Sequence, residues 1–352
     1  MHDEPELKSH RRHGVETTVV AVQNVRFGDG SYPVIAGPAV VEGEAELEEV
    51  ARLVHRGGAS VLRAGTFRAE NSPYGFKGLG GEGLRLLQTA GLEVGLPTMT
   101  EVLEPGHAEV IAEHVDILEI GAENMQNFVL LQAAAQTQRP VVLQRGPSAT
   151  IDEWLMAAEY ILAEDNHDVV LCERGSRTFD PRTTDTIDIS AVPVVQRISH
   201  LPVLINPAGG VGGADIATPL ALAGRTVGAD GLILNVHAVP GDAMTGGNHH
   251  LAPTDFLTLM ESLGIPLLRD EIDRIDREII KLLRSRLMKS VEIGRIKAGR
   301  GLEIFSPDRE AELLNEARDD AKTLGVDPDY VEQIFQTILD HSKAAQRKAV
   351  EG

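Results

Sequence analysis

The sequence predicts an α/β protein: a (β/α)8 barrel followed by an all-α domain of three helices. From about residue 33 the chain alternates short apolar, β-branched runs with longer stretches whose apolar residues recur every three or four positions. Strands that are apolar on both faces and separated by helices form parallel sheets, and eight such units close into a barrel. The eight apolar runs span residues 33–38, 60–65, 92–99, 115–122, 140–146, 168–175, 201–207 and 230–237. The helical stretches between them include 44–57, 80–91, 126–137, 150–163 and 213–224.

Residues 1–32 precede the first strand of this barrel and predict a short N-terminal arm. The segment TVVAVQNVRF (18–27), followed by Gly-Asp-Gly, is typical of a hairpin, which we expect to cover the bottom of the barrel. The short basic cluster at residues 8–13 predicts a flexible tail.

The pattern changes after Gly264, which divides a barrel of residues 33–264 from a helical domain of residues 265–352. An apolar stripe at helical spacing runs through residues 267–298. So long a helix in a small domain usually buries its apolar face against a second chain. We therefore expect an intertwined homodimer, and a larger homo-oligomer through the barrel is left open.

Two later segments of this domain have the composition of helix starts. Ser306-Pro307 combines an N-cap residue with proline at the first helical position and predicts a helix to about residue 323. Asp327-Pro328 predicts a third helix to about residue 348 by the same reasoning.

Charge and composition exclude several classes of protein. The 352 residues include 33 basic and 53 acidic ones, and the net charge of −20 opposes binding to nucleic acid. No apolar run approaches the roughly 20 residues that a membrane span needs. The polar N-terminus has no secretory apolar segment, and a single cysteine, Cys172, cannot form an internal disulfide. We expect no nucleic-acid partner, no membrane and a cytoplasmic location.

Seven polar residues of the helical domain lie where the apolar stripe predicts an interior or a dimer seam. They are Arg269, Arg286, Lys297, Arg309, Glu310, Ser342 and Gln346. Taken singly, each fits a solvated helix face with ion pairs one turn apart. As a set they match the active-site pattern of the all-helical chorismate mutases in type and spacing, and the chain resembles that family from Leu267 to about Ala349.

This resemblance implies that the domain converts chorismate to prephenate. The reaction is a single pericyclic step, so the protein has only to hold a compact conformer of a dicarboxylate and stabilise charge on the breaking ether oxygen. By the family's pattern, Arg286 and Arg309 would pair with the carboxylates, and Arg269 would come from the partner chain. Lys297 and Gln346 would donate hydrogen bonds to the ether oxygen.

The remaining positions of the pattern concern the ring hydroxyl of the substrate. Glu310 would hold this hydroxyl, and Ser342 would bond either the hydroxyl or a carboxylate. The family usually has an aspartate three positions before Arg309, where this chain has Ser306. Serine is a weaker partner for the ring substituent than a carboxylate, which leaves open a preference for 4-amino-4-deoxychorismate.

Several segments of the barrel also carry a resemblance. They are NSPYGFKGLG (71–80), QNF (126–128), CERG (172–175) and DISAVP (188–193). In the order of these segments and in their sequences, residues 17–264 resemble the short-type 3-deoxy-heptulosonate 7-phosphate (DAHP) synthases. Fusion to a chorismate mutase is known in that family. The resemblance implies condensation of phosphoenolpyruvate with erythrose 4-phosphate on a divalent metal that Cys, His, Glu and Asp side chains hold.

The positions that match these ligands have poor donors in this chain. They are Ala39, Gly209, Asn235 and Gly246. A lysine of the family corresponds to Gln144 and an arginine to Glu123, and the family's phosphate loop corresponds to residues 68–71. These substitutions predict that DAHP synthase activity is absent, that no metal or cofactor is bound, and that the barrel serves as a scaffold or regulator.

Four residues of the family's barrel site remain in place. They are Arg63, Arg145, Arg174 and His237. They are either inherited ion pairs across the strand ends or part of a pocket rebuilt for another ligand. The sequence thus predicts a chorismate mutase with a DAHP synthase-like barrel. A bifunctional DAHP synthase/chorismate mutase and a non-catalytic partner of another shikimate-pathway enzyme are the alternatives.

Overall fold

A computed structural model describes residues 7–11, 16–68, 74–180, 183, 185–207, 214–245, 249–265, 268–301 and 306–351. The chain divides into two compact units, Met1–Arg269 and Asp270–Gly352. Among the described residues, the strands lie in the first unit and the second unit consists of helices.

A β-hairpin precedes the barrel and fills the interior at one end. Strands β1 (Val20–Val22) and β2 (Val25–Phe27) are antiparallel, and the turn between them places Gln23 at a positive φ of 51°. Their inward-facing side chains are buried in one cluster with apolar residues from inside the barrel, and these are Val20, Val22, Val25 and Phe27. The hairpin therefore supplies part of the barrel's inner core.

The barrel itself has eight parallel strands that close on themselves. In chain order they are β3 (Val34–Gly37), β4 (Val61–Arg63), β5 (Thr98–Glu101), β6 (Ile117–Ile120), β7 (Val141–Gln144), β8 (Val169–Glu173), β9 (Val203–Ile205) and β10 (Gly231–Asn235). Strand β10 pairs with β3, which closes the barrel, with Leu232 opposite Val34. Almost every strand residue is buried, because the wall separates a filled interior from surrounding helices. The predicted (β/α)8 barrel is confirmed.

Eight helices belong to the barrel unit in the part of the chain that the structure describes. They are α1 (Glu44–Arg56), α2 (Gly81–Val94), α3 (Ala108–Ala112), α4 (Phe128–Gln136), α5 (Ile151–Ala163), α6 (Ala191–Ile198), α7 (Ala214–Thr226) and α8 (Pro253–Ser262). Helix α5 begins with a reciprocal cap between Thr150 and Glu153. It packs on the barrel wall through Trp154, whose indole N–H donates to the carbonyl of Leu143 at 3.2 Å.

The segment at residues 7–11 is docked on the barrel unit, so the flexible tail predicted for this cluster is wrong here. The backbone N–H groups of Lys8 and Ser9 donate to the two carboxylate oxygens of Glu159 at 2.8 and 2.9 Å. The backbone N–H of Arg11 donates to the carbonyl of Ile198 at the end of α6. These partners come from distant helices, so the local composition of the cluster could not show them.

The second unit contains the three predicted helices, α9 (Leu268–Gly299), α10 (Pro307–Thr323) and α11 (Pro328–Glu351). The helical domain is confirmed, and α10 and α11 begin at their prolines as the sequence predicts. Ser306 occupies the N-cap position of α10, but its side chain makes no capping hydrogen bond.

Most apolar side chains of this unit are exposed. Among the side chains of this unit that the structure describes, the buried apolar ones are only Ala317 and Ala321. Along α9 the exposed ones include Ile275, Ile279, Ile280, Leu282, Leu283, Leu287, Met288, Ile293 and Ile296. No described helix is long and apolar enough to cross a membrane.

Candidate functional sites

One candidate site lies where α9 packs on α11. The guanidinium of Arg286 donates from Nη1 to Ser342 Oγ at 2.9 Å, and Ser342 Oγ donates to the carbonyl of Ile338 at 2.8 Å. One turn further along α11, the amide of Gln346 donates to the carbonyl of Ser290 at 2.8 Å. The structure therefore brings together three of the seven predicted residues and fixes their side chains by hydrogen bonds.

Gly294 allows the two helices to approach at this point. A Cβ atom there would lie 3.0 Å from Cγ of Gln346, which is closer than ordinary van der Waals contact. Lys297 lies half-buried, close to one turn beyond Gly294 on the same side of α9. On this face of α9, Lys297 thus supplies a cation, and Gly294 allows α11 to approach closely.

Glu310 on α10 faces α11 through a residue that the sequence analysis did not identify. Nζ of Lys343 lies 2.6 Å from Oε2 of Glu310, and both side chains are partly buried. Lys343 directly follows Ser342 and precedes Gln346 by one turn. This spacing in the sequence already placed Lys343 near two predicted site residues. Its contact with Glu310, however, depends on how α10 packs on α11.

The structure does not bring Arg309 into this group. Arg309 is 61% exposed and pairs within α10 with Glu312, and more distantly with Glu316 at 3.9 Å. Arg269 lies at the start of α9, and its side chain lies outside the described residues.

A second candidate site is a cavity of about 250 Å³ at the carboxyl ends of the barrel strands. It is lined by three arginines and by acidic, amide, imidazole, aromatic and small residues. They are Ala39, Arg63, Phe67, Arg68, Glu101, Gly121, Ala122, Glu123, Gln144, Arg174, Asn206, Asn235 and His249. The strand ends of such a barrel are where active sites lie, and this cavity combines three guanidinium groups with the carboxyl groups of Glu101 and Glu123.

A buried network ties four strands together beneath this cavity. Arg63 on β4 donates from Nε to Glu119 Oε2 at 2.8 Å and from Nη1 to Asn235 Oδ1 at 2.8 Å. The amide of Gln144 donates to the other carboxylate oxygen of Glu119. Glu119 is completely buried, so its charge depends on these partners.

Glu101 at the end of β5 is a buried acid that faces the same cavity. Burial, and then the charge of Glu119, raises the pKa of Glu101 to about 7. Gly121 provides the space for it, because a Cβ atom at that position would overlap Oε1 of Glu101. Near neutral pH this carboxyl can therefore hold or release a proton at the mouth of the barrel.

The ionisation of Glu101 predicts how the stability of the barrel depends on pH. Its pKa in the folded chain, about 7, lies above its ordinary value of 4.5, so between these values the folded chain binds more protons than the unfolded chain. The free energy of unfolding should therefore fall as pH rises through this window. Replacing Glu101 by Gln removes the contribution. From pH 5 to pH 8 the variant should gain about 2 kcal/mol on the parent chain, measured by urea unfolding. If the difference in free energy of unfolding between the variant and the parent were the same at pH 5 and pH 8, the raised pKa of Glu101 would be contradicted.

Two further residues of the predicted barrel site, Arg145 and Arg174, lie close to carboxylates. The Nη1 atom of Arg145 donates to Glu173 Oε2 at 2.9 Å and to Asp188 Oδ2 at 3.3 Å. Arg174 faces Asp185 at 3.9 Å. The contacts of Arg145 join the end of β8 to the residues before α6 and so order the rim of the barrel.

His237 lies just after β10 between two carboxylates. Its Nδ1 atom accepts a hydrogen bond from the backbone N–H of Val239 at 3.1 Å. Its Nε2 atom lies 3.4 Å from Glu46 Oε1 and 3.6 Å from Glu42 Oε2. Burial raises the pKa of Glu46 to about 7. The segment after β10 therefore lies beside the start of α1, with a buried imidazole near two carboxylates.

The residues at the expected metal position do not form a donor set for a divalent ion. Ala39 has no donor atom in its side chain, and the Oδ1 atom of Asn235 accepts the hydrogen bond from Arg63. Gly209 and Gly246 lie outside the described residues. Within the described ranges, no group of three His, Cys, Asp or Glu side chains could hold a metal. Ala39 and Asn235 do not fit such an ion.

Comparison with known proteins assigns both units. The sequence profile of the DAHP synthetase I family matches residues 16–265, and that of chorismate mutase type II matches residues 268–347. A phospho-2-dehydro-3-deoxyheptonate aldolase of Thermotoga maritima is 42% identical over 248 residues, which cover 70% of this chain and 73% of that protein. A 2-dehydro-3-deoxyphosphooctonate aldolase of Magnetococcus marinus is 30% identical over 279 residues, covering 75% of this chain and 95% of that protein.

Solved structures give the same assignment for the barrel. A crystal structure of the Thermotoga maritima phospho-2-dehydro-3-deoxyheptonate aldolase matches with a TM-score of 0.72 at 40% identity, covering 74% of this chain and 76% of that chain. A truncated 3-deoxy-D-arabino-heptulosonate 7-phosphate synthase from the same organism matches with a TM-score of 0.68 at 38% identity, covering 73% and 94% of the two chains.

These similarities contradict the prediction that DAHP synthase activity is absent. That prediction gave single ligand positions, such as Ala39 and Asn235, more weight than the barrel as a whole. The 42% identity extends through most of the barrel, which has a cavity at the carboxyl ends of its strands as well. The chain belongs to the DAHP synthetase I family and carries a C-terminal chorismate mutase type II domain.

Proposed function

We propose that the chain is bifunctional, with DAHP synthase activity in the barrel and chorismate mutase activity in the helical domain. The observation that carries the first half is the 42% identity to a phospho-2-dehydro-3-deoxyheptonate aldolase. The second half is supported by the match to chorismate mutase type II and by the group of Arg286, Ser342 and Gln346 between α9 and α11.

In the mutase, Arg286 pairs with a carboxylate of chorismate, and Ser342 holds the guanidinium in position. Arg309 pairs with a carboxylate when it leaves Glu312. Lys297 and the amide of Gln346 donate to the ether oxygen as its bond to carbon breaks. Fixed donors are effective here because charge grows on that oxygen only in the transition state, while the substrate itself undergoes no proton transfer.

The mutase works as a homodimer through α9. Ile279, Leu283 and Leu287 are each at least 40% exposed on this helix, and the unit has few buried apolar side chains of its own in its described part. A second copy would remove these side chains from water, at a gain of about 25 cal/mol per Å² of apolar surface. Arg269, at the start of the same helix, then reaches the partner's site.

A charge introduced into this interface should separate the subunits. Leu283→Glu places a carboxylate in the apolar contact, so we expect more monomer and about a tenfold loss of chorismate turnover at low protein concentration. Turnover should recover as concentration rises, because association follows mass action. Sedimentation and activity are measured over the same concentration range, with exposed Lys289→Glu as the control. Full activity of a monomeric Leu283→Glu protein would contradict the dimer.

In the barrel, Arg68 and Arg174 bind the phosphate groups of the two substrates at the mouth of the cavity. Arginine suits this role because its planar fork matches phosphate oxygens. Glu101 faces the same space and supplies a carboxyl whose pKa of about 7 lets it exchange a proton near neutral pH.

Both halves are tested on the full-length chain. Loss of chorismate absorbance reports the mutase. Consumption of phosphoenolpyruvate that depends on erythrose 4-phosphate reports the synthase, and it is measured once with Mn²⁺ and once with chelator. Absence of the second reaction under both conditions would overturn the synthase half, and absence of the first would overturn the mutase half. Turnover with chelator present would support a reaction that runs on side chains alone.

A further inference from the structure

Lys343 contacts the acid that, in the proposed mutase, holds the ring hydroxyl of chorismate. Its Nζ atom lies 2.6 Å from Glu310 Oε2 and 3.6 Å from Asp340 Oδ1. The side chains of Lys343 and Glu310 are 28% and 26% exposed, whereas that of Asp340 is 62% exposed. The shorter contact, which joins α11 to α10, is therefore also the better shielded from solvent.

The position of Lys343 places it at the edge of the mutase site. The preceding residue, Ser342, is 6% exposed and bonds Arg286, and Gln346 lies one turn further along α11. Residues three positions apart on a helix share a face, so Lys343 and Gln346 border the same space. The ammonium group of Lys343 therefore interacts electrostatically with the ring substituent of the substrate that contacts Glu310.

The ion pair changes which substituent Glu310 can accept. Lys343 engages Oε2, which leaves Oε1 to accept a hydrogen bond from a neutral hydroxyl. An ammonium group in place of that hydroxyl would meet the positive charge of Lys343 as well as the carboxylate. Ser306, just before α10, adds no negative charge to offset this repulsion.

We propose that Lys343 is a specificity-determining residue of the mutase, which orients Glu310 toward a ring hydroxyl and selects against substrates that carry an ammonium group there. This proposal rests on the proposed mutase function. Ser306 left both chorismate and 4-amino-4-deoxychorismate open as substrates. The charge of Lys343 favours chorismate.

The test compares kcat/KM for chorismate and for 4-amino-4-deoxychorismate at pH 7 in three variants of the full chain. In Lys343→Met, which keeps the length of the side chain but removes its charge, the preference for chorismate should fall by about tenfold. Lys343→Arg, which keeps the charge, should retain the preference of the parent. Lys348→Met, an exposed change on the same helix, is the matched control.

The outcomes separate this proposal from the one on which it depends. An unchanged substrate ratio in Lys343→Met, with chorismate still turned over, would overturn the role of Lys343 alone. A parent chain that does not turn over chorismate would overturn the mutase function and this role with it. If Lys343→Met does not fold, loss of the preference in Lys343→Arg, despite its retained charge, would overturn the proposal.

Discussion

Replacing Arg286 by alanine is expected to lower kcat/KM for chorismate by about a thousandfold, or about 4 kcal/mol of transition-state stabilisation. Arg286 is the cation that the structure holds against α11 by the hydrogen bond to Ser342. Its loss removes a charge-assisted contact to a substrate carboxylate and leaves Ser342 without that donor. The reaction has no covalent or proton-transfer step, so its rate depends on how well the protein positions the substrate and stabilises the charge of the transition state.

The loss is measured by the absorbance of chorismate, with thermal unfolding as the check that the helical domain still folds. Arg284→Ala, two positions away on an exposed part of α9, is the matched control and should keep the activity of the parent. Arg286→Lys should lie between the two, since it keeps the charge without the planar fork. Parent-like kinetics in Arg286→Ala would remove this residue from the mechanism.

Most of the fold could be predicted because its determinants are local. The strands of the barrel are buried on both faces, so runs such as 140–146 and 230–237 are apolar without alternation. Proline fixes the first turn of a helix, so Pro307 and Pro328 marked where α10 and α11 begin. In contrast, residues 7–11 are held by Glu159 and by the end of α6, and no local pattern encodes partners so far along the chain.

The mutase site shows the same limit at the level of side chains. The contact of Arg286 with Ser342 follows the spacing of the resemblance, whereas the contact of Lys343 with Glu310 depends on how α10 packs on α11. Arg309 was expected beside a substrate carboxylate, and in the structure Glu312 of its own helix takes that place. Glu312 follows Arg309 by three positions and so lies beside it on the same helix, and a motif taken from other proteins does not include that neighbour.

The barrel site misled the sequence analysis for a related reason. Asn235 was considered only as a missing metal ligand, yet in the structure it accepts a hydrogen bond from Arg63 within a network that also includes Glu119 and Gln144. Residues on four different strands form this network, so their joint role becomes visible only when the barrel closes.

Glu119→Ala should be among the most destabilising single changes in the barrel. It leaves the guanidinium of Arg63 buried without its carboxylate, at a cost of about 3–5 kcal/mol in the free energy of unfolding. For a unit of this size the midpoint of thermal unfolding should fall by about 10 °C. Calorimetry of the full chain measures the change, and exposed Glu113→Ala serves as the control that removes a carboxylate without burying a charge.

Two double variants show whether the unpaired charge causes this loss. Arg63→Met with Glu119→Leu removes both charges and should recover part of the stability, because no charge is left buried without its partner. The recovery is only partial, since the buried amides of Gln144 and Asn235 lose their hydrogen-bond partners. The double variant Glu101→Gln with Glu119→Ala should lose more free energy of unfolding than the sum of the changes in the two single variants. Without Glu119 the pKa of Glu101 should fall, so its carboxylate can replace part of the missing charge. If all three proteins lost the same amount, the cavity left by the side chain, and not the buried charge of Arg63, would account for the effect.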